Sequence, residues 1–511
     1  PFQTIAKNEY YLNVIWFSIW QAFVSTLLSI LLGMPLAYVF AKHEFPGKTF
    51  FKALTTLPFV MPTIVVAVGF MALLGPHGIV NSTLMNVFNM GEPPIRINNS
   101  LTIIFMAHAF YNYAIVVRIV SALWANLDPN LENAAAVLGA GPLSVFRQVT
   151  MPVLLPAITS SALLAFTFSF TSFGVILILG GPQFSTIEVA IYELTAKLFR
   201  LPLASTLSLI QLFFTFIFLS IYARFQTVNP EPVELKPSKV NSRKTLRPRD
   251  KVFLVTMLLY LLIILSPLFG LLIHSINLMD GYTLGEIIRL FADEHKSYFY
   301  LSPVIIIWNS VRFALMTVII SVFLGTIVAY LLSRSKHQGF SLLDALFMLP
   351  IGVSAITLGL GYLISLNNSW LDLRDSWILL VVAHSLVAYP FVIRSILPVL
   401  RKMSPRLKEA AMTLGASPTK IFLLIDMPIL TPALIVGATF AFAVSMGEFG
   451  ATLLLIRPES TTIPVAIFRY LGLPGSENLI RSLIMSSLLM IIVAVGFIII
   501  EKFRYKDTGV F

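Results

Sequence analysis

Cysteine is absent from this chain of 511 residues, and charged side chains make up only 12% of it. The first absence removes disulfides, thiolate metal sites and thiol nucleophiles from consideration and leaves no mark of redox compartment. The second excludes an ordinary soluble domain, in which about a quarter of the residues are charged. Acidic residues are the scarcer sign, 24 against 35 Lys and Arg, for a formal charge of +11. A basic excess of this kind fits single-stranded nucleic acid only where aromatic side chains are interleaved for stacking. The densest basic stretch, 236–251, contains no aromatic residue. No nucleic-acid partner is expected, and anionic lipid headgroups are the natural counterions of that stretch. Catalytic groupings are lacking as well. No His, Asp and Glu cluster at metal-ligand spacing and no nucleophile beside a base falls within the apolar runs, so neither enzyme activity nor a cofactor is expected in this chain. The Gly47-Lys48-Thr49 triplet echoes a phosphate-binding loop, but the earlier glycine that such a loop requires falls on Lys42.

What the chain has in abundance is apolar length, with 57% of residues hydrophobic. A hydrocarbon core about 30 Å thick takes roughly 20 helical residues to cross. Runs of that kind recur eleven times, at 14–40, 51–74, 101–124, 152–179, 203–225, 252–276, 304–332, 340–364, 377–400, 428–456 and 479–500. They are too long and too uniformly apolar for the alternating strands of a membrane barrel. The expected fold class is therefore all-α, a polytopic membrane protein with 11 spans in this chain. Alternating the spans puts 22 of the 35 Lys and Arg on one side and 10 on the other, with Arg118, Arg312 and Arg394 inside spans. By the positive-inside rule the richer side is cytoplasmic.

Sliding the chain against itself gives a dominant register of 276 residues. Between 131–157 and 407–433, 13 of 27 positions are identical, and the same register pairs His108 with His384, Tyr113 with Tyr389 and Arg118 with Arg394. Upstream the register is 292, pairing Gly33 with Gly325 and Tyr38 with Tyr330. The difference places sixteen extra residues in the first copy, within 75–100 on the outer side, where a delivery partner is expected to meet the chain. A domain-sized repeat that keeps its in-out order is a parallel duplication about an axis along the membrane normal. The expected domains are 1–226, a 227–251 basic cytoplasmic linker, and 252–511. The helix at 252–276 has no counterpart in the first copy, and the chain opens on Pro1. Sequence before Pro1 and a twelfth span are therefore expected in the full-length protein.

Each copy carries one long cytoplasmic loop, reading DPNLENAAAVLGAGPLSVFRQVTMPVLLP from Asp128 and SPRLKEAAMTLGASPTKIFLLIDMPILTP from Ser404. Asp128 and Ser404 suit an N-cap, Pro129 and Pro405 the first helical position, and Gly139 and Gly415 the stop. A helix of about ten residues is predicted in each, presenting paired alanines that let another backbone come close.

These loops resemble the EAA loop of type I ABC importer permeases, in which Glu-Ala-Ala is followed by a glycine and trailing prolines. Glu409, Ala410, Ala411 and Gly415 match throughout, while the first copy reads Asn133, Ala134, Ala135 and Gly139 with Glu132 one position early. The resemblance covers essentially the whole chain and implies two tandem permease domains. It implies that the loops, with Phe146 and Phe422 following, dock two separate ATP-binding cassette ATPase subunits that hydrolyse ATP while this chain forms the pathway. It further implies an extracytoplasmic substrate-binding protein, a multi-pass location in the bacterial or archaeal cytoplasmic membrane, and a small cargo. The text Leu179-Gly180-Gly181-Pro182-Gln183 is most similar to thiamine permeases, whereas Gly447-Glu448-Phe449-Gly450 also resembles iron and oxyanion permeases. An ion-coupled secondary transporter is the alternative of another class, but it has no need of two docking loops. Glu448 and its repeat partner Ser172 are candidate pathway residues, because an ionisable group within a span is a functional hypothesis by default. The competing reading for Glu448 is a carboxylate that reaches water. His108 and His384 are read as a shared packing pair in preference to a proton relay.

Overall fold

A computed structural model describes residues 1–181, 183–227, 248–279, 301–333, 346–348, 350, 352–366, 373 and 376–507. Every regular element among them is a helix. This follows from the solvent, since a backbone N–H or C=O facing hydrocarbon finds no water and is most cheaply paired within its own helix. Ten helical stretches among the described residues, with Thr63–Phe88 taken as one, are long and apolar enough to cross a membrane. The expected span at 340–364 appears only as a shorter apolar helix, Ala355–Ser365, with most of its first half outside the described residues. The basic linker at 228–247 likewise lies outside them.

The chain forms two compact units, Pro1–Phe59 with Val66–His274, and Val60–Val65 with Ser275–Phe511. The first contains α1 (Phe2–Lys7), α2 (Glu9–Lys42), α3 (Lys48–Val60), α4 (Thr63–Leu74), α5 (Ile79–Phe88), α6 (Leu101–Ala125), α7 (Pro129–Val137), α8 (Pro142–Val145), α9 (Met151–Phe170), α10 (Gly174–Leu179), α11 (Ile187–Tyr192), α12 (Leu201–Thr227) and α13 (Pro248–Met279). The last residue of α3, the first residues of α4 and the end of α13 fall to the second unit. Within the first unit α13 donates Tyr260 Oη to Leu32 O at 3.1 Å, and a Cβ at Gly69 would stand 2.8 Å from Pro267 O. α13 accordingly belongs to the first unit as far as His274.

The second unit contains α14 (Pro303–Ser333), α15 (Ala355–Ser365), α16 (Trp377–Lys402), α17 (Pro405–Thr413), α18 (Pro418–Ile421), α19 (Met427–Gly447), α20 (Gly450–Leu455), α21 (Ile463–Leu471) and α22 (Ser476–Asp507). Three of the expected spans are not continuous. The run at 152–179 breaks between α9 and α10, and the run at 428–456 breaks between α19 and α20. The span at 51–74 is likewise interrupted at Met61-Pro62, where proline removes a donor.

The duplication is visible as two equivalent cores. Ala37, Val116, Val120, Trp124, Leu154 and Ala157 cluster in the first unit, and their register partners Ala329, Val392, Ile396, Leu400, Leu430 and Ala433 cluster in the second. Glycine sets the spacing in both. A Cβ on Gly33 would lie 2.8 Å from Val116 Cβ and 3.0 Å from Tyr113 O, and one on Gly325 would lie 2.8 Å from Val392 Cβ and 3.2 Å from Tyr389 O. The α2–α6 and α14–α16 backbones therefore approach as closely as small residues in membrane helices allow. The extra residues of the outer loop include α5, pinned by the buried Asn81. Its Nδ2 donates to Gly75 O and Ile95 O, and its Oδ1 accepts from Ile95 N, each at 2.9 Å.

Substituting Gly325→Val forces α14 off α16 and is expected to cost about 1–3 kcal/mol. Thermal unfolding in detergent measures this against Gly361→Ala, because a Cβ on Gly361 meets nothing within 4 Å. Equal midpoints for the two variants would contradict the close-packing account.

Candidate functional site

The loop helix α7 begins as its sequence predicts. Asp128 accepts from Asn130 N at 2.9 Å, and Pro129 occupies the first turn, where a missing N–H costs nothing. It ends in a Schellman arrangement. Ala140 N donates to Ala135 O at 3.1 Å and Gly139 N to Ala136 O at 3.0 Å, with Gly139 in the left-handed region at φ +86°. The second loop repeats the stop in α17, where Ala416 N donates to Ala411 O at 3.0 Å, Gly415 N donates to Met412 O at 2.9 Å, and Gly415 has φ +79°. Its start differs from expectation, because Ser404 makes no side-chain cap hydrogen bond. Both helices have nine residues.

The outward side of each loop is uncovered by its own chain. No residue of α7 is buried, Asn133, Ala134 and Gly139 are exposed and Ala135 is half-buried, as are their partners Glu409, Ala410 and Gly415, and Ala411. The residue before the glycine stop, Leu138 in one loop and Leu414 in the other, is 88% exposed in both. A leucine is thus held in the open at the same place twice, in loops that the topology puts outside the bilayer.

The inward side is tied down. Glu132 does not stand with the exposed Asn133. Its Oε2 accepts from Lys42 Nζ at 2.7 Å and its Oε1 from Thr150 Oγ1 at 2.9 Å. In the second unit Asp426 Oδ2 accepts from Lys408 Nζ at 2.9 Å and Tyr330 Oη at 2.8 Å. Phe146 and Phe422 also face inward, Phe146 onto Trp124 at 6.0 Å and Phe422 onto Tyr330 at 5.8 Å between ring centroids. Each begins a π-helical turn, Phe146–Thr150 or Phe422–Asp426, that leads into the following span.

The broken spans hold the remaining candidates, one in each unit. Ser172 and Glu448 sit at equivalent breaks, each beside the buried histidine of its own unit. His108 Nε2 meets Ser172 Oγ at 2.8 Å and its Nδ1 meets Ser25 Oγ at 3.1 Å. His384 Nδ1 meets Ser445 Oγ at 2.8 Å, and its Nε2 lies 2.8 Å from Thr452 Oγ1 and 3.4 Å from Glu448 Oε2. Glu448 does not reach water. It is 6% exposed, and its two oxygens accept from Ala451 N and Thr452 N, each at 2.9 Å. The carboxylate thereby caps α20, whose first N–H groups have no partner within the helix. Capping across elements recurs nearby. Ser18 Oγ accepts from Ile187 N at 2.9 Å and Ser310 Oγ from Ile463 N at 2.8 Å, at matching places in the two units.

The sequence reading missed three features. Glu188, fully buried, accepts from Gln211 Nε2. The Lys42–Glu132 and Lys408–Asp426 pairs had a signal, since a charged residue falls at 132 and 408 in the repeat, but the partners are distant in sequence. The Ser18 and Ser310 caps carry no local sequence mark. Among the described residues no group of three or more His, Asp and Glu side chains is placed to hold a metal ion.

Comparison with known proteins gives these features a context. Residues 29–227 and 321–504 each match the family described as binding-protein-dependent transport system inner membrane component. The chain is 26% identical over 509 residues to the thiamine transport system permease protein ThiP of Escherichia coli, covering 98% of this chain and 91% of that protein. The ThiP of Haemophilus influenzae is 26% identical over 513 residues, 98% of this chain and 90% of that protein. A putative ferric transport system permease protein, FbpB 1 of Haemophilus influenzae, is 25% identical over 455 residues, 88% of this chain and 70% of that protein. With both matched segments built on the same core, the same glycine-spaced helix pair and the same loop, this chain is a multi-pass membrane permease belonging to the binding-protein-dependent transport system inner membrane component family.

Proposed function

We propose that this chain forms the translocation pathway of an ATP-binding cassette importer, that α7 and α17 each dock one separate ATPase subunit, and that the cargo is thiamine delivered by an extracytoplasmic binding protein. The observation that carries the docking part is the matched pair of uncovered loop helices, each ending on a left-handed glycine preceded by a leucine that is 88% exposed. The small residues Ala134 and Ala410 leave the helix surface open to close approach. The thiamine part is supported by similarity to proteins named as thiamine permeases across 98% of the chain.

The second cargo reading is ferric iron, favoured by the ferric permease relative. Glu448 lends it no support, because its oxygens are engaged by Ala451 N, Thr452 N and the His384 ring. A cation bound there would have to break the cap of α20.

Leu414→Ser, made together with Leu138→Ser, is expected to reduce co-purification of the ATPase subunits about tenfold or more, the loss attached to removing two exposed apolar anchors. Thermal unfolding of the permease itself should not change, since neither leucine is buried. Full retention of the ATPase would remove the docking assignment. Gly415→Val, which asks a β-branched residue to adopt φ +79°, is expected to lower uptake more than ATP hydrolysis in reconstituted vesicles. Uptake driven by an ion gradient in vesicles without ATPase subunits would favour the secondary-transporter class.

For cargo, proteoliposomes holding the complete complex are expected to take up labelled thiamine in an ATP-dependent way and to leave ferric iron outside. Iron uptake without thiamine uptake would replace the first cargo by the second.

A further inference from the structure

The two loops are anchored by nodes that keep one contact while exchanging its chemistry. At the 276-residue register Glu132 corresponds to Lys408, and Thr150 to Asp426. In the first unit the acid is on the loop helix and the hydroxyl on the span entrance, joined at 2.9 Å. In the second the base is on the loop helix and the acid on the span entrance, joined again at 2.9 Å. A third element completes each node from the helix that opens the repeat, through Lys42 on α2 at 2.7 Å or Tyr330 on α14 at 2.8 Å. The charges have moved, yet positions 132/408 and 150/426 still touch.

Their location explains what the contact does. Thr150 and Asp426 are each the last residue of a π-helical turn, and each is buried. A π turn closes on i→i+5 hydrogen bonds, is wider than an α turn, and is a place where helices kink. Here it lies between the short helix α8 or α18 and the span α9 or α19. α7 buries no side chain of its own, so apolar packing does little to fix it. Charge-assisted hydrogen bonds closing over the joint bind loop helix, span entrance and the end of α2 or α14 into one body.

We propose that Glu132 with Lys42 and Thr150, and Asp426 with Lys408 and Tyr330, are positioning nodes that pass displacement of the loop helices to the spans instead of letting it dissipate at the π turns. This rests on the docking reading above. The role of the nodes is to convert a push on α7 or α17 into tilt of α9 or α19. A coupling element of this type has its warrant in two arrangements that both ends bias.

The exchange supplies the experiment. In the full complex of this chain with its ATPase subunits and binding protein, reconstituted in proteoliposomes, cargo taken up per ATP hydrolysed is measured for E132K, T150D and E132K/T150D, alongside ATPase co-purification. Each single variant sets like charges together, since E132K brings a second ammonium up to Lys42 and T150D brings a second carboxylate up to Glu132. Each is expected to lower uptake per ATP about fivefold with the ATPase still bound, within the range of coupling-network substitutions. The double variant rebuilds in the first unit the Lys–Asp contact native to the second and is expected to return within about twofold of the parent chain. A double variant no better than the worse single, or single variants that leave uptake per ATP unchanged, would overturn the proposal. If E132K does not assemble, E132Q decides by the same readout, a lowered ratio supporting the node and an unchanged one overturning it. A parent chain that retains no ATPase subunit would instead remove the docking reading on which the nodes depend, a result separable from every other.

Discussion

The constraint on which the rest of the structure depends is that a backbone group released from a helix inside a membrane protein must be taken up by another part of the chain. The spans after the two loops are broken, so several N–H groups lose their helical partners at each break. Glu448 takes two of them at the start of α20. Further along, Ser18 and Ser310 reach across from α2 and α14 to take the first N–H of α11 and of α21. Gln21 Nε2 serves the opposite need, donating to Ser169 O at 2.8 Å at the carbonyl end of α9. These polar side chains are buried where breaks leave backbone groups in need of partners.

The same economy explains why the two units agree in backbone and differ in chemistry. Gly33 and Gly325 are held by sterics, since any side chain would enter the facing valine. Gly139 and Gly415 are held by conformation, since a left-handed stop is costly for any residue with a Cβ. The partners at the break are held only by function as donor or acceptor. Ser172 in one unit and Glu448 in the other both meet a buried histidine, one as a neutral hydroxyl, the other as a carboxylate that also caps a helix. Duplication has preserved geometry where geometry is the requirement, and has allowed exchange where any competent hydrogen-bonding group will serve.

The same distinction sets how much was legible in the sequence. Helical spans, the tandem repeat and the two loop helices rest on hydropathy, identity at fixed register and turn chemistry, all of them local or periodic signals. They correspond to α2, α6, α7, α12, α14, α16, α17 and α22. The breaks at 171–173 and 448–449 were hidden, because Thr171 to Phe173 and Glu448 to Phe449 sit in runs whose average hydropathy still reads as one span. Glu132 was placed beside Asn133 on the docking face because adjacency in sequence was the available guide. Its partners lie 90 and 18 residues away. The inward turn of Phe146 and Phe422 was equally invisible, since it depends on which face of a π turn meets Trp124 or Tyr330.

A loop helix that transmits force, as proposed for α7 and α17, needs one face free for the source and another bonded to the load. In α7 those faces are adjacent in sequence. Asn133 and Ala134 point outward while Glu132 is held by Lys42 and Thr150. In α17 the arrangement is the same, with Glu409 and Ala410 outward and Lys408 held by Asp426. Moving the acid by one position, as the first copy does relative to the second, therefore moves it from the free face to the bonded one. The first loop consequently exposes a neutral Asn133 where the second exposes the Glu409 carboxylate, so the outward faces of the two loop helices differ in charge although their backbones match. On the docking proposal, two identical ATPase grooves would meet them unequally, sharing only the alanines, the glycine and the exposed leucine of each loop.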